Sequence, residues 1–560
     1  MQWTSRVDKL VKALGENVKE VKQVTPNQFV IVIDKTILPK AVKLFVEELG
    51  GSEPQLSIMV GNDERPLGRG FSITYWFSVN AGEEDLFIGL RTRVDEKDPS
   101  FPSITPYLKG AEWYEREVLD LLGLKPVGHP DPRRLVLPDD WPDDVYPLRK
   151  DFPYNKSPIS ERKYPYKEKK DYLIVPFGPY HVSLDEPAHF RLFVKGEEIV
   201  DVDYRGFYSH RGIEKLSETR LTYNQVCFIA ERVCGICGCT HSTAYCQAVE
   251  AIAGVTVPER AEYIRTIMLE IERLHSHLLW IGVACHLLGF DLGFMHSWRI
   301  REKVMWLAEK LTGNRKTYGI NLVGGVRRDF LDYRIEEINK CITELKKEFK
   351  NLVNLITSTR SFIKRCKDVG ILPLDLARKW CTVGPLARGS GRKIDVRKDH
   401  PYAAYKELDF KVPVYTEGDV LARAMVRIEE VYESIWIIEQ ALDKLPKGPI
   451  LEEPDEIPAY KEALGYTEAP RGENVHYVMS GPGNRVYRYR IRAATYNNLP
   501  AARDMLIGYT VADAPLIIAS IDPCYSCTER VIVIDVRDKS KRVYSEKELV
   551  YMSRRKSMEV

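Results

Sequence analysis

Two Cys-x-x-Cys pairs set the tightest condition on how this chain can fold. Cys234 and Cys237 stand in ERVCGICGCTHS, residues Glu231 to Ser242, and Cys524 and Cys527 stand in IDPCYSCTER, residues Ile521 to Arg530. Each pair lets two sulfurs converge on one ion from a tight turn, and two pairs can supply a tetrathiolate site. If they do so, the fold must bring together segments 287 residues apart, from Cys237 to Cys524. On spacing alone the commonest use of four such cysteines is structural zinc. A thioredoxin-like redox pair would need a Cys-x-x-Cys opening a helix after a strand, in a βαβ setting that neither stretch suggests.

Three features weigh against zinc. Structural zinc pins small modules that lack a core, whereas this chain of 560 residues has material for three or four domains at about 150 residues each. Both pairs are bordered by titratable groups: Glu231, Arg232 and His241 at the first, Asp522, Glu529 and Arg530 at the second. Proton-handling sites need such neighbours and structural sites rarely do. Four thiolates also suit other soft metals, nickel and iron among them.

Several function classes fall away. With 82 basic against 80 acidic residues there is no electrostatic case for nucleic acid. The N-terminal residues MQWTSRVDKLVKALGENVKE hold no uninterrupted apolar run of a signal peptide. The most apolar run, Leu278 to Phe290, contains a histidine and falls short of the roughly 20 residues that cross a bilayer. The chain is therefore expected to be soluble and to reach any membrane through a partner. Of the 11 cysteines, Cys227, Cys246, Cys285, Cys341, Cys366 and Cys381 read as small buried hydrophobes. Cys239, beside the first pair, is the harder one to assign.

The first 150 or so residues alternate strand signals, FVIVID (Phe29 to Asp34) and FSITYWFSV (Phe71 to Val79), with a helical one, LPKAVKLFVEELGG (Leu38 to Gly51). The charged stretch 155–171 has little apolar content and reads as a linker. A hairpin pattern follows over His189 to Tyr204, turning at Lys195-Gly196. The chain then becomes mainly helical. Ile264, Ile267, Met268, Ile271, Leu274 and Leu278 mark one apolar face, Ile335 to Leu352 a second, and Val420 to Leu442 a third. Three such helices imply a bundle-like core. The expected class is α+β: a small α/β N-terminal domain over 1–154, the linker, and a mainly α-helical domain over 172–530.

RVCGICGCTHS and DPCYSC together resemble the two cysteine signatures of [NiFe]-hydrogenase large subunits, in order, spacing and flanking residues. The stretch Ser103 to Trp141 is similar to the 30-kDa-type subunit of respiratory complex I, and the region from about Tyr172 onward to its 49-kDa-type subunit, with the cysteine pairs intact. A fusion of these two parts resembles the large subunits of energy-conserving, membrane-bound hydrogenases of the formate hydrogenlyase group.

The resemblance implies a nickel–iron centre. Cys234 and Cys524 would be terminal ligands of nickel, and Cys237 and Cys527 would bridge to an iron carrying carbon monoxide and cyanide. Heterolytic hydrogen chemistry needs a base beside the metal, and a terminal thiolate with an ordinary pKa near 8.5 can be tuned by the metal for that task; Cys524 is the expected proton carrier. Arg471, in EAPRGE, is similar to the arginine over the metal pair, with Asp522 as its carboxylate. Pro470, backbone amides near Arg471 and Gly472, and Thr495 would face cyanide, although Ala494 replaces a hydroxyl common among relatives. His241 would hydrogen-bond a bridging sulfur, and Glu214 would be the first carboxylate on the proton path. Uptake-type members place an aspartate between two histidines where this chain has His275-Ser276-His277. A maturation endopeptidase is expected to cut after Arg530, which makes residues 531–560 a propeptide.

The implied activity is reversible reduction of protons to hydrogen. The implied partners are an iron–sulfur small subunit and further iron–sulfur and membrane-integral complex I-like subunits, in a formate hydrogenlyase-type or ferredoxin-linked assembly. These would hold the chain peripherally at the cytoplasmic face of the cell membrane. Two other readings stay open on the residues: a complex I-like, quinone-facing scaffold without a metal pair, and a zinc-stabilised structural subunit. The N-terminal part carries no metal-ligand set and reads as a docking module.

Overall fold

The computed structural model describes residues 5–49, 55–79, 85–156, 158, 160–161, 164–181, 183–184, 186–525, 533–534 and 541–542. The chain is α+β, with an N-terminal sheet unit and a helical C-terminal part.

The N-terminal sheet holds β1 (Val18–Thr25), β2 (Gln28–Ile33), β3 (Gln55–Asp63), β4 (Phe71–Val79) and β5 (Leu86–Val94), in the order β1-β2-β5-β4-β3. The alternating helix and strand signals suggested α/β winding. Only β2 and β5 run parallel, however, and every other neighbouring pair in the sheet is antiparallel. The expected strands at Phe29 and Phe71 are β2 and β4, both fully buried; β2 is apolar on both faces from Phe29 to Ile33, whereas β4 alternates apolar residues with the buried Ser72, Thr74 and Ser78. Helix α1 (Ser5–Leu14) and helix α2 (Leu38–Leu44) join this core through Val7, Leu10, Leu38 and Val42. Helix α2 continues into a wider turn, Phe45–Leu49. Helix α3 (Glu112–Leu122) ends at Gly123, which takes the left-handed conformation that stops a helix.

The described part of the 155–171 stretch forms no helix or strand, yet it is fastened down rather than free. Tyr164 is buried beneath the Arg205 guanidinium, 4.6 Å from its ring centre, and Lys169 pairs with Asp201. These anchors lie on the expected hairpin, His189–Lys195 and Glu198–Arg205, which a third strand, Leu173–Phe177, extends.

After the hairpin come α4 (Ile213–Arg220), α5 (Tyr223–Ala230), α6 (Gly238–Ala253), α7 (Glu259–Leu287), α8 (Asp291–Thr312) and α9 (Asp332–Ser358), and later the helix Val420–Asp443. The six residues expected to mark one apolar face of α7 are all fully buried, in a core shared with α8, α9 and the Val420 helix. Among the described residues no helix is long and apolar enough to cross a membrane.

A second sheet, Glu462–Ala469, Gly472–Ser480 and Val486–Arg492, sits between α6 and the N-terminal sheet. Its close approach to α6 depends on Gly465, where a Cβ would fall 1.8 Å from the Ala244 carbonyl oxygen. Its last strand reads VYRYRIR. Strand periodicity puts Arg488, Arg490 and Arg492 on one face, and that face meets β3, the edge of the N-terminal sheet. Arg492 Nε donates to the Ser57 carbonyl (2.5 Å), Arg490 Nε to that of Met59 (3.4 Å) and Arg488 Nε to that of Gly61 (2.9 Å). Three guanidinium groups thus satisfy every second carbonyl of an edge that would otherwise be open. A further bridge joins Arg91 of β5 to Glu462, at 3.0 and 2.5 Å, with Lys22 of β1 2.9 Å from the same carboxylate.

Burial works against ionisation of Glu462, but Arg91 outweighs it and holds the carboxyl well below its ordinary value of 4.5. A depressed folded-state pKa contributes stability that is fully present above 4.5 and is lost as the pH falls below it. Glu462→Gln, which strands Arg91, is expected to cost about 3–5 kcal/mol near neutrality, read as a lower urea midpoint. The gap between wild type and variant should narrow as the pH drops below 4.5; a gap independent of pH would show that the pair does not act through charge.

Candidate metal centre

The fold brings the two distant cysteine stretches together. Cys234 follows a helical turn, Glu231–Val233, and Cys237 immediately precedes α6. Cys524 follows the helix Ala514–Ile521. Cys234, Cys237 and Cys524 are all buried and form one cluster with Ala469. Cys234 Sγ lies 2.9 Å from Cys524 Sγ. Ligands about 2.3 Å from one metal can be at most about 4.6 Å apart, so this pair is within reach of a shared ion. Cys527 and Arg530 lie outside the described residues, as does the 531–560 stretch apart from a two-residue strand pair, Val533–Ile534 with Lys541–Arg542. Among the described residues no group of three or more His, Cys, Asp or Glu side chains already stands in full metal-holding geometry.

The electrostatics favour thiolate. Burial works against ionising Cys234, but hydrogen bonds with Cys237 and Cys524 and the Arg471 charge outweigh it and hold its pKa well below the usual thiol range. The bond to Cys234, followed by burial, pushes Cys237 well above that range. The pair thus gives up its first proton readily and its second reluctantly, which is the state a cation would complete. Donor type, burial and charge all fit a soft metal ion.

Arg471 could have been a surface arginine in a Pro-Gly turn. Instead it is 2% exposed, at the tight turn between two buried strands. Its Nη2 lies 2.6 Å from Asp522 Oδ1 and its Nε donates to the Asp522 carbonyl at 2.6 Å. Its Nη1 donates to Ser276 Oγ at 3.2 Å, so the serine in the His-Ser-His triplet faces the same guanidinium. Burial opposes the Arg471 charge, but Asp522 and the cysteines outweigh it and raise its pKa. The turn is clamped from behind. Gly472 has φ 123°, and a Cβ on Gly384 would fall 2.2 Å from the Arg471 carbonyl oxygen. That oxygen accepts from Asn498 Nδ2 at 3.1 Å. Pro470 is buried beside it.

Thr495 Oγ1 accepts from the Cys524 backbone N–H at 3.0 Å, which leaves the hydroxyl hydrogen to donate elsewhere. His241, on α6, is fully buried; its Nδ1 is 2.9 Å from His476 Nε2 and its Nε2 has no hydrogen-bond partner among the described residues. Glu214, at the start of α4, is not paired with Lys215 or Arg211 on a helix surface. It pairs with Arg488 (2.8 Å) and Arg490 (3.1 Å) and accepts from the Ile491 N–H at 3.0 Å. Burial raises its pKa, but the two arginines outweigh it and the net shift is downward. Glu214, Thr495 and Cys524 line one cavity.

Some of the surroundings were not foreseen. Glu117, from α3, lines the same cavity and accepts from Arg490 Nη2 at 2.9 Å and from the Tyr496 hydroxyl, so the N-terminal part forms a wall of the cavity. Burial raises the Glu117 pKa. Nothing in its local sequence, EWYEREVLDLL, distinguishes it from Glu115. The arginines could have been found, since VYRYRIR repeats Arg at strand spacing in a segment otherwise fit for burial. Glu272 caps the start of α6 by accepting the Cys239 and Thr240 N–H groups at 2.8 and 3.0 Å. Cys239 is a packing thiol outside the cluster, pushed well above the usual range by burial and then by Glu272.

Comparison with known proteins places this geometry in a lineage. Residues 211–292 match the nickel-dependent hydrogenase family. Residues 31–158 match the 30 Kd subunit of respiratory-chain NADH dehydrogenase, and residues 288–462 and 454–530 match its 49 Kd subunit. The chain is 48% identical over 532 residues to formate hydrogenlyase subunit 5 of Escherichia coli (strain K12), covering 94% of this chain and 93% of that protein. It is 40% identical over 411 residues to the membrane-bound hydrogenase subunit alpha of Pyrococcus furiosus, covering 70% and 95%. It is 36% identical over 476 residues to an NADH-quinone oxidoreductase subunit of Phocaeicola vulgatus, covering 81% and 91%. A solved chain of an archaeal membrane-bound sulfane sulfur reductase superposes with a TM-score of 0.62 at 33% identity, covering 65% of this chain and 100% of that one. The chain belongs to the [NiFe]-hydrogenase large subunits of the membrane-bound, formate hydrogenlyase group, in which complex I 30-kDa-like and 49-kDa-like parts share one polypeptide.

Proposed function

We propose that this chain is the catalytic subunit that reduces protons to hydrogen, reversibly, with electrons from an iron–sulfur small subunit. The observation that carries the proposal is the 2.9 Å approach of Cys234 and Cys524 in a buried pocket covered by the Arg471–Asp522 pair. Cys234, Cys237, Cys524 and Cys527 would hold nickel, with Cys237 and Cys527 shared with an iron bearing carbon monoxide and cyanide. The Arg471 and Gly472 amides and the Thr495 hydroxyl suit cyanide nitrogens, which only accept hydrogen bonds; Pro470, which has no N–H, would pack beside them. When bound, the centre supplies the electron-pair side of making and breaking the H–H bond.

The chain supplies the proton side. Cys524 Sγ would carry the proton, and Glu214, held ionised by Arg488 and Arg490, stands on the same cavity wall to receive it. Arg471 fixes a positive charge over the pocket in a dry setting, where such charges act strongly. With Ser276 in place of an aspartate, Asp522 is the carboxylate beside Arg471 and Ser276 adds a neutral hydroxyl. His241 would tune a bridging sulfur.

The same proposal divides the chain into 1–154, a linker 155–171, a catalytic part 172–530 and a propeptide 531–560 cut after Arg530 by a maturation endopeptidase. The seven further cysteines are scattered, and among the described residues they form no group that could hold a cluster, so the electrons would arrive through a partner docked near the cysteine pocket. Membrane-integral complex I-like subunits would then hold the assembly at the cytoplasmic face of the membrane, in a formate hydrogenlyase-type or ferredoxin-linked complex. Similarity to the NADH-quinone oxidoreductase relative favours a second reading, a redox scaffold without a metal pair. The retained cysteines speak against it.

Metal analysis of this subunit, separated from its iron–sulfur partners, should find nickel and iron in near-equal amounts, with infrared bands of metal-bound carbon monoxide and cyanide in the intact complex. One zinc and no nickel would defeat the proposal, and no metal at all would favour the scaffold. Arg471→Lys should keep nickel near the wild-type level and lower hydrogen turnover by about a hundredfold or more, because an ammonium cannot reproduce the planar fork; loss of nickel would assign Arg471 to folding instead. Intact mass of the active, nickel-loaded subunit should correspond to a chain ending at Arg530, and an active subunit that retains residues 531–560 would remove the propeptide assignment.

A further inference from the structure

A line of buried hydrogen-bonding groups leaves the cysteine pocket in a direction that the proposed reaction does not use. His241, on α6, has Nδ1 2.9 Å from Nε2 of His476, on the central strand Gly472–Ser480. His476 Nδ1 lies 2.7 Å from the hydroxyl of Tyr489, on the neighbouring strand. All three side chains are fully buried. The Tyr245 ring meets the Tyr489 ring edge-on at 5.2 Å and fixes its position.

Both imidazoles are neutral here, because burial pushes His241 down to about 4 and His476 well below its ordinary value. In a neutral imidazole one ring nitrogen donates and the other accepts, so the line has two internally consistent directions. In one, Tyr489 O–H donates to His476 Nδ1, His476 Nε2–H donates to His241 Nδ1, and His241 carries its hydrogen on Nε2. In the other, every donor is reversed and Nε2 of His241 is a bare acceptor.

The hydroxyl decides between them. Among the described residues Tyr489 Oη has His476 Nδ1 as its hydrogen-bond partner and no other acceptor. In the reversed direction its hydrogen would be buried and unpaired, which disfavours that arrangement by roughly tenfold or more. In the forward direction each hydrogen is donated onward, and the last one sits on His241 Nε2. That atom has no partner among the described residues, and its ring lies within electrostatic reach of Cys234. This tautomer offers a hydrogen from the atom left without a partner, whereas the reversed one would offer only a lone pair there.

We propose that Tyr489, acting through His476, sets the tautomer of His241 so that Nε2 carries the hydrogen and is presented as a donor to the cysteine pocket. Tyr489 and His476 are positioning residues, and the consequence for a bound metal pair rests on the function proposed above.

The tautomer can be read without any metal. In the full-length chain labelled with 15N-histidine, two-bond proton–nitrogen correlations distinguish a protonated ring nitrogen from a bare one, and the His241→Gln variant identifies the His241 signals. The expected wild-type pattern is Nε2–H on both His241 and His476, in at least roughly tenfold excess. Tyr489→Phe removes the deciding donor, so His241 should become a mixture or switch to Nδ1–H. Nδ1–H on His241 in the wild-type chain would overturn the proposal even if the variant did not fold, as would an unchanged pattern in a folded Tyr489→Phe chain. In the loaded enzyme the same variant should shift the carbon monoxide and cyanide bands at unchanged nickel content, and unmoved bands would confine the effect to the free chain and overturn its delivery to the pocket. A chain that takes up no nickel would fail the function proposed above, while the wild-type nitrogen pattern would still decide this one.

Discussion

The strand Val486–Arg492 is the contact on which the rest of the structure depends, because it settles the outward edge of one sheet and a wall of the site at once. Its arginines direct their Nε hydrogens to alternate carbonyls of β3. Their Nη groups also reach carboxylates, beside further carbonyls: Arg488 reaches Glu214 and Glu218, Arg490 reaches Glu214 and Glu117, and Arg492 reaches Glu473. Each arginine therefore bridges a backbone edge and a buried acid. An unpaired guanidinium in this setting would be untenable, and so would a bare carboxylate. The N-terminal sheet, α4 and the second sheet are consequently fixed to one another by groups that cannot be withdrawn singly.

The same rule governs the interior of the helical part. Among the described residues, eight of the twelve largest fully buried side chains are arginines, and seven of these, Arg492 apart, lie between residues 265 and 427, so this core holds charges as much as an apolar interior. Arg388 meets Glu430 and Glu468, Arg397 meets Asp395 and Glu270, and Glu270 also meets Arg273. Arg273 in turn donates to the Glu468 and Ala469 carbonyls, immediately before the turn that carries Arg471. Apolar packing alone tolerates small slides between elements. A network of directed, charge-assisted bonds does not, and it transmits a defined position to the turn above the cysteines.

Much of this was legible in the sequence and some was not, for reasons that differ by residue. The long helices were legible because α7 and α9 repeat apolar residues at helical spacing, and β2 and β4 because β-branched and aromatic residues cluster there. The parallel pairing of β2 with β5 was not, since pairing is decided by contacts between distant segments that leave no local mark. At the site, the Cys-x-x-Cys spacing announced itself, and the resemblance directed attention to Arg471, Asp522, His241 and Glu214. Glu117, His476 and Tyr489 stayed hidden because each matters through a partner hundreds of residues away or on an adjacent strand. The 155–171 stretch reads as a linker from its charges, and the use of Lys169 and the Tyr164 ring to hold the hairpin was not legible because their partners, Asp201 and Arg205, lie in another segment.

Asp522 shows how a local rule is set aside for the site. The helix Ala514–Ile521 ends on a residue in the left-handed region, φ 59°, where glycine is the unstrained choice. Aspartate tolerates that region better than most side chains, but at some cost in backbone energy. The cost is offset because the left-handed turn presents both the Asp522 carboxylate and its carbonyl oxygen to Arg471, at 2.6 Å each. A glycine there would keep the carbonyl bond and lose the counter-charge, and the Arg471 guanidinium would stand over the cysteines with only a serine hydroxyl beside it. The residue that stops the helix two positions before Cys524 is thus also the one that keeps a positive charge tolerable in the pocket. Helix end, arginine and ligand are one constraint, which is why the DPC and PRG stretches are meaningful only together.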